Sequence, residues 1–283
     1  MVLNASLAGK TYEPRKFIVT ADAISKYARA TNDENPWFTS DEPIAPPAFP
    51  FVAAMDPMRE VMLDPELNVD MAMLVHAEQE HRLLTPLRAG NVLEVRATLE
   101  EVDLAPTGHN FTVGVVLIND VDQTAAEVRS KMFIRKTATA KAAEDTVERG
   151  EVVAEGQSAV DEDQTYRYAE ASGDHNPIHL DAEAARKSGF PGIVLHGMCT
   201  MAMASRVVLE TAAGGDPRRL SRIRVQFSRP VFPGQTLTTS VWRISGEGAG
   251  DVERYGFETV NPRGAAVIRN GLAEVANVSP NGN

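Results

Sequence analysis

Cysteine is almost absent from this 283-residue chain, in which Cys199 stands alone. One thiol excludes an intrachain disulfide framework and a Cys-rich metal site. Cationic residues are in deficit too: 28 Lys and Arg face 39 Asp and Glu, and the net charge of -11 repels nucleic acid and acidic membranes unless basic residues cluster locally. No apolar run approaches the roughly 20 residues of a membrane span, and Met1 to Pro14 lacks the charged-then-apolar order of a signal peptide. The expected address is the cytoplasm, and the expected partners are small molecules rather than nucleic acid or membrane. Core-forming material is plentiful, with 43% hydrophobic and 24% charged residues. That is a globular mixture, long enough for one large domain or two of about 140 residues.

The chain is written twice. Tyr27-Ala-Arg-Ala-Thr-Asn-Asp33-Glu-Asn35-Pro36 matches Tyr168-Ala-Glu-Ala-Ser-Gly-Asp174-His-Asn176-Pro177 at Tyr, Ala, Ala, Asp, Asn and Pro. Pro86 to Leu93 is matched in the same way by Pro230 to Leu237, 144 residues on. The halves are taken as 1–140 and 150–283, joined through the small and charged stretch Thr137 to Gly150.

In the second half, Asp163 to Ser172 reads as a short helix ended by Gly173, followed by a loop from Asp174 to Gly192. His196 to Ala213 is Met, Ala, Val and Leu with few charges, which suits a helix buried on most sides. Ile223, Val225 and Phe227 then alternate with Arg222, Arg224 and Gln226, a half-buried strand, and further strands fit Thr236 to Ile244, Arg254 to Asn261 and Ala265 to Val275. The first half repeats this order, with Phe51 to Leu63 as a shorter central helix before strands at Leu93 to Glu101, Asn110 to Asn119 and Ala125 to Lys136. One buried helix followed by consecutive strands implies an antiparallel sheet wrapped over a helix, of the α+β class.

The densest polar cluster is Asp174-His175-Asn176-Pro177-Ile178-His179. Five residues is about 140° of helix, which would point Asp174 and His179 apart, but Pro177 opposes helix. In a turn the two can converge, with Asn176 fixing the turn; an Asx turn with an incidental histidine is the alternative. His196-Gly197 opens the apolar helix, where unpaired amides carry the positive end of the dipole. The Gly197 N–H can receive a developing enolate oxygen, or Gly197 serves only close packing.

Together with Phe190-Pro-Gly-Ile-Val-Leu-His196-Gly197-Met, this loop resembles the signature of the MaoC-like, R-specific enoyl-CoA hydratases of the hotdog superfamily. The whole chain resembles their two-copy members, in which an amino-terminal hotdog precedes a catalytic carboxy-terminal one. The resemblance implies a double hotdog, Asp174 and His179 as the catalytic pair, Gly197 as the oxyanion amide, Asn176 as a structural asparagine and Ser205 as a pocket residue. It implies hydration of a trans-2-enoyl thioester to the (R)-3-hydroxy product with no metal or organic cofactor. The reaction needs a base to activate water, an acid for the α-carbon and a donor for the thioester oxygen, and these residue types supply them. The expected substrate is an acyl-CoA, with acyl-carrier protein as the alternative carrier, and a homodimer is expected. A hotdog thioesterase and a non-catalytic acyl-binding hotdog are the rival readings.

The first half has Asp33 and Asn35, but Phe38 stands at the place of His179 and no His-Gly opens its helix. Its expected role is a non-catalytic partner that enlarges the acyl pocket, with Asp33 a turn residue. Arg218, Arg219, Arg222, Arg224, Arg229 and Arg243 fall in a stretch without acids. Arg222 and Arg224 are candidates for coenzyme A phosphates, or else lie on a strand face paired with acids of the first half. His175 and His179 have a zinc-like spacing that Pro177 interrupts, so no metal is expected. Gly246 to Gly250 reads as a hairpin loop, His76, His81 and His109 as satisfied surface or core histidines, and Cys199 as a core residue.

Overall fold

The structure, a computed structural model, describes residues 2–71, 73–106, 108–135, 147–244 and 252–277. The first half contributes β1 (Arg15–Ile18), α1 (Ala21–Ala30), α2 (Pro36–Thr39), α3 (Pro50–Met62), β2 (Leu74–Leu83), β3 (Val92–Ala105), β4 (Gly108–Ile118) and β5 (Thr124–Arg135). The second contributes β6 (Val152–Ala159), α4 (Gln164–Ser172), α5 (Ala182–Lys187), α6 (Gly197–Ala213), β7 (Leu220–Phe227), β8 (Thr236–Arg243), β9 (Val252–Val260) and β10 (Ala266–Ala276). All strands join one antiparallel sheet in the order β1-β3-β4-β5-β2-β7-β10-β9-β8-β6. Reading outward from the β2–β7 pair, each strand has its counterpart at the same rank, as the sequence repeat requires. The protein is a double hotdog of the α+β class, with α3 and α6 as the wrapped helices.

The repeat is visible at the centre. Tyr27 and Tyr168, equivalent in the two copies, meet with hydroxyls 3.4 Å and rings 5.7 Å apart. Glu80 of β2 lies opposite Arg224 of β7, and both strands carry a bulge at matching places, Ala77 and Ser221. Such an extra residue re-aims the side chains beside it.

Helix α6 buries Met198, Cys199, Met201, Met203, Val207 and Val208, leaving Arg206 and Glu210 as an exposed ion pair. Gly214, at φ 63°, ends it in the left-handed conformation that favours glycine. A Cβ on Gly156 of β6 would stand 2.7 Å from Val207, so sheet and helix meet there backbone to side chain.

Residues 245–251, which include the Gly246 to Gly250 loop, and 136–146 of the linker stretch lie outside the described residues. The loop expected from Asp174 to Gly192 contains a 3-10 turn at Pro177–His179 and α5, whose start is capped when Asp181 Oδ1 accepts the Ala184 N–H at 2.6 Å. His76 and His81 lie in text that reads as strand, but the sequence gives β2 no bounds, because the alternation of Leu-Val-His-Ala-Glu-Gln-Glu-His-Arg-Leu is broken by the bulge. Among the described residues no helix is long and apolar enough to cross a membrane.

Candidate active site

α4 ends at Gly173, φ 77°, and the chain then turns on its own side chains. Ser172 Oγ accepts the Asp174 N–H at 3.2 Å, Asp174 Oδ1 accepts the Asn176 N–H at 3.2 Å, and Asn176 Oδ1 accepts the Ile178 N–H at 3.4 Å. Pro177 opens the 3-10 turn that swings His179 back. A carboxylate oxygen of Asp174 and one ring nitrogen each of His179 and His196 lie within 4.8 Å of one another. One water hydrogen-bonded to both the carboxylate and His179 fits in such a gap.

His179 is buried, and its Nδ1–H donates to the Val194 carbonyl at 2.8 Å. A carbonyl only accepts, so in the neutral ring Nε2 keeps its lone pair. Burial lowers the pKa of His179 below the ordinary histidine value, against the opposing pull of the Asp174 charge. That shift favours the neutral ring.

His196 is the N-cap residue of α6, with no side-chain bond to the helix. Its Nε2–H donates to the Asp174 backbone carbonyl at 2.9 Å, and its ring stacks on His179 at 3.8 Å and 26° and tilts against Tyr168 at 4.9 Å. His175, the other half of the zinc-like spacing, is exposed, with Nε2 3.2 Å from Glu170.

Gly197 begins α6, so the helix ladder leaves its N–H without an intrahelical acceptor. A Cβ here would stand 3.3–3.4 Å from the Phe227 ring, so close packing is also a property of this position. Asp174, Asn176, His179 and Gly197 line one cavity of about 720 Å³. Its other wall comes from the first half: Phe51, Met55, Met58 and Met62 of α3, and His76 and Glu78 of β2.

Two expectations are corrected. Ser205, two turns along α6, donates to the Ala202 carbonyl at 2.8 Å and does not line the cavity. Arg222 is held by Glu80 at 2.9 Å and Glu274 at 3.1 Å, and Arg224 beside it lies opposite Glu80; neither lines the cavity. The buried Ile223 and Val225 take the inner face of β7, so the arginines take the outer one, and the pairing of Arg222 with an acid of the first half is what is found. The cations that do line the cavity are Lys131, Arg229 and Arg269.

His76 is a further departure. Its ring packs 5.0 Å from Phe227 and 6.1 Å from Phe51, its Nε2 is buried without a hydrogen-bond partner, and burial pushes its pKa down to about 4. Only the bulge at Ala77 and the seating of β2 against β7 bring it here, and no local pattern announces either. His81 keeps a bond from Nδ1 to the Pro47 carbonyl. Asp33 makes the expected turn, with Oδ1 accepting the Asn35 N–H at 3.1 Å, but it is also buried, which pushes its pKa up to about 6.

Residues 142–260 match the family model of the MaoC like domain, and residues 6–127 match that of the FAS1-like, dehydratase domain region. The chain carries a MaoC-like dehydratase domain in its second half. This MaoC-like chain is 45% identical over 87 residues to the probable enoyl-CoA hydratase 2 of Dictyostelium discoideum, covering 31% of the chain and 30% of that protein. It is 31% identical over 231 residues to the peroxisomal multifunctional enzyme type 2 of Mus musculus, covering 76% of the chain and 29% of that protein. The chain therefore spans less than two thirds of the length of these curated relatives. A solved MaoC-like dehydratase from Phytophthora capsici superposes with a TM-score of 0.84 at 24% identity, covering 99% of this chain and 100% of that one, a likeness of fold.

Proposed function

We propose that the protein hydrates trans-2-enoyl-CoA reversibly to (R)-3-hydroxyacyl-CoA, with Asp174, His179 and Gly197 as its catalytic groups. The observation that carries this reading is their placement in one cavity: a carboxylate, an imidazole with a bare Nε2 and a free helix-start amide. The relative named enoyl-CoA hydratase 2 supports it.

Asp174 and His179 Nε2 hold one water. As its oxygen bonds to the β-carbon, its proton passes to Nε2 and the C=C electrons move toward the thioester oxygen, where the Gly197 N–H receives the enolate charge. The imidazolium, facing the Asp174 carboxylate, is the acid that returns a proton to the α-carbon. One water is added and no proton is gained or lost, so no cofactor is needed.

The first half, 1–140, is the non-catalytic partner of 150–283 and houses the acyl chain against Met55, Met58 and Met62, whose flexible thioethers adapt to irregular apolar shapes. Lys131, Arg229 and Arg269 meet the phosphates of coenzyme A, in place of Arg222 and Arg224. The test is crotonyl-CoA conversion followed by loss of the enoyl absorbance. Release of free thiol without hydration would turn the reading to a thioesterase.

A further inference from the structure

We infer that His196 is a positioning residue, holding Asp174, His179 and Gly197 in their mutual geometry without touching substrate; the inference rests on the hydration reading above.

The molecule contains its own control. In the second half Tyr168, His179 and His196 form one buried group, the rings of Tyr168 and His179 each packing on His196. In the first half the matching places hold Tyr27, Phe38 and Phe49, all buried. Phe49 is the N-cap residue of α3, as His196 is of α6, and it packs on Tyr27 at 5.6 Å, as His196 packs on Tyr168 at 4.9 Å. A phenyl ring therefore satisfies the packing at this point of the fold. The imidazole stands at 196 in the copy that also has an imidazole at 179, and both are phenylalanine in the other.

The imidazole also carries a cost that a phenyl ring does not. With Nε2–H committed to the Asp174 carbonyl, Nδ1 is the bare nitrogen, and it is buried with no hydrogen-bond partner. An unsatisfied buried acceptor destabilises. What the ring supplies in return is three constraints on three neighbours. It bonds the backbone of Asp174, covers one face of His179 at 3.8 Å and is covalently joined to Gly197. Misplacement of a reacting group by about an ångström costs on the order of a hundredfold in rate, so these constraints act on turnover.

The test uses the full chain with His196→Phe, which keeps the ring and removes the bond to Asp174, and His196→Gln, which keeps a donor and removes the ring. Expected are a folded His196→Phe protein with kcat lowered about ten- to a hundredfold and KM within about twofold, and recovery of at least about threefold in His196→Gln. In a His179→Ala background, His196→Phe should cost no more than about twofold, because its effect runs through His179. The inference is overturned if His196→Phe keeps kcat within twofold, if its loss falls equally on KM, if it adds in full to His179→Ala, or if it fails to fold, since the Phe49 comparison then fails. Should the wild-type protein leave crotonyl-CoA unchanged, or Asp174→Asn cost nothing, the hydration reading itself falls. With both behaving as proposed, a silent His196→Phe removes this inference alone.

Discussion

The role given to the Gly197 amide can be isolated by deleting one hydrogen. Gly197 is the first residue of α6, the position where proline is best tolerated because its missing N–H has no helical partner. The residue before a proline must be extended, and His196 already is, at φ -57° and ψ 133°. Gly197 is not among the positive-φ glycines, so an L residue fits the backbone. The remaining obstacle is the Phe227 ring, 3.3–3.4 Å from the new Cβ, which has to shift by a few tenths of an ångström. Gly197→Ala makes the same contact but keeps the N–H, so the ratio of the two variants isolates the donor. Loss of one oxyanion donor costs about 10²–10³ in kcat, or ~2.7–4 kcal/mol of transition-state stabilisation. The assay is steady-state hydration of crotonyl-CoA, with helical circular dichroism confirming α6 in both proteins. A Gly197→Pro turnover within about threefold of Gly197→Ala would refute the oxyanion role and leave Gly197 as a packing residue.

His179→Phe installs what the first half carries as Phe38; it should fold and lose at least about a hundredfold in kcat with KM nearly unchanged. Because burial holds His179 below its ordinary pKa, the acid limb of the wild-type kcat/KM profile should fall below about pH 6.5, and a limb above that value would contradict the neutral-base assignment. Asp33→Asn should leave hydration unchanged and raise stability. With the Asp33 pKa raised from 3.8 to about 6, the folded state binds more protons than the unfolded one between those values, so stability declines as pH rises through the window, by up to ~3 kcal/mol. Denaturant midpoints should therefore favour the variant at pH 7.5 and converge near pH 4, and a comparable loss of turnover would overturn the division of labour between the halves. Arg222→Ala should lower stability by about 1–3 kcal/mol, since it strips the partly buried Glu80 and Glu274 of a shared partner, while KM for the thioester stays within about twofold; a large KM increase would restore the coenzyme A role.

Local signals carried the architecture. The Tyr27 and Tyr168 segments announced the repeat, the apolar run after His196 announced the wrapped helix, and Pro177 with Asn176 announced a turn able to bring Asp174 and His179 together. These readings hold because turn formation and helix burial depend on residues within a few positions of one another.

The opposite wall of the cavity was hidden, for the complementary reason. His76 and Glu78 reach it only because β2 is bulged and paired with β7, a partner far away in the chain. The same pairing decides that Arg222 meets Glu80 instead of a ligand. Sequence alone determined that two equivalent units exist and which one bears the Asp174–His179 loop, because each property is written within a short span. Tertiary structure alone decided what faces that loop, which arginines are engaged elsewhere and how His196 is bonded, because strand pairing and burial are properties of residues that sequence keeps apart.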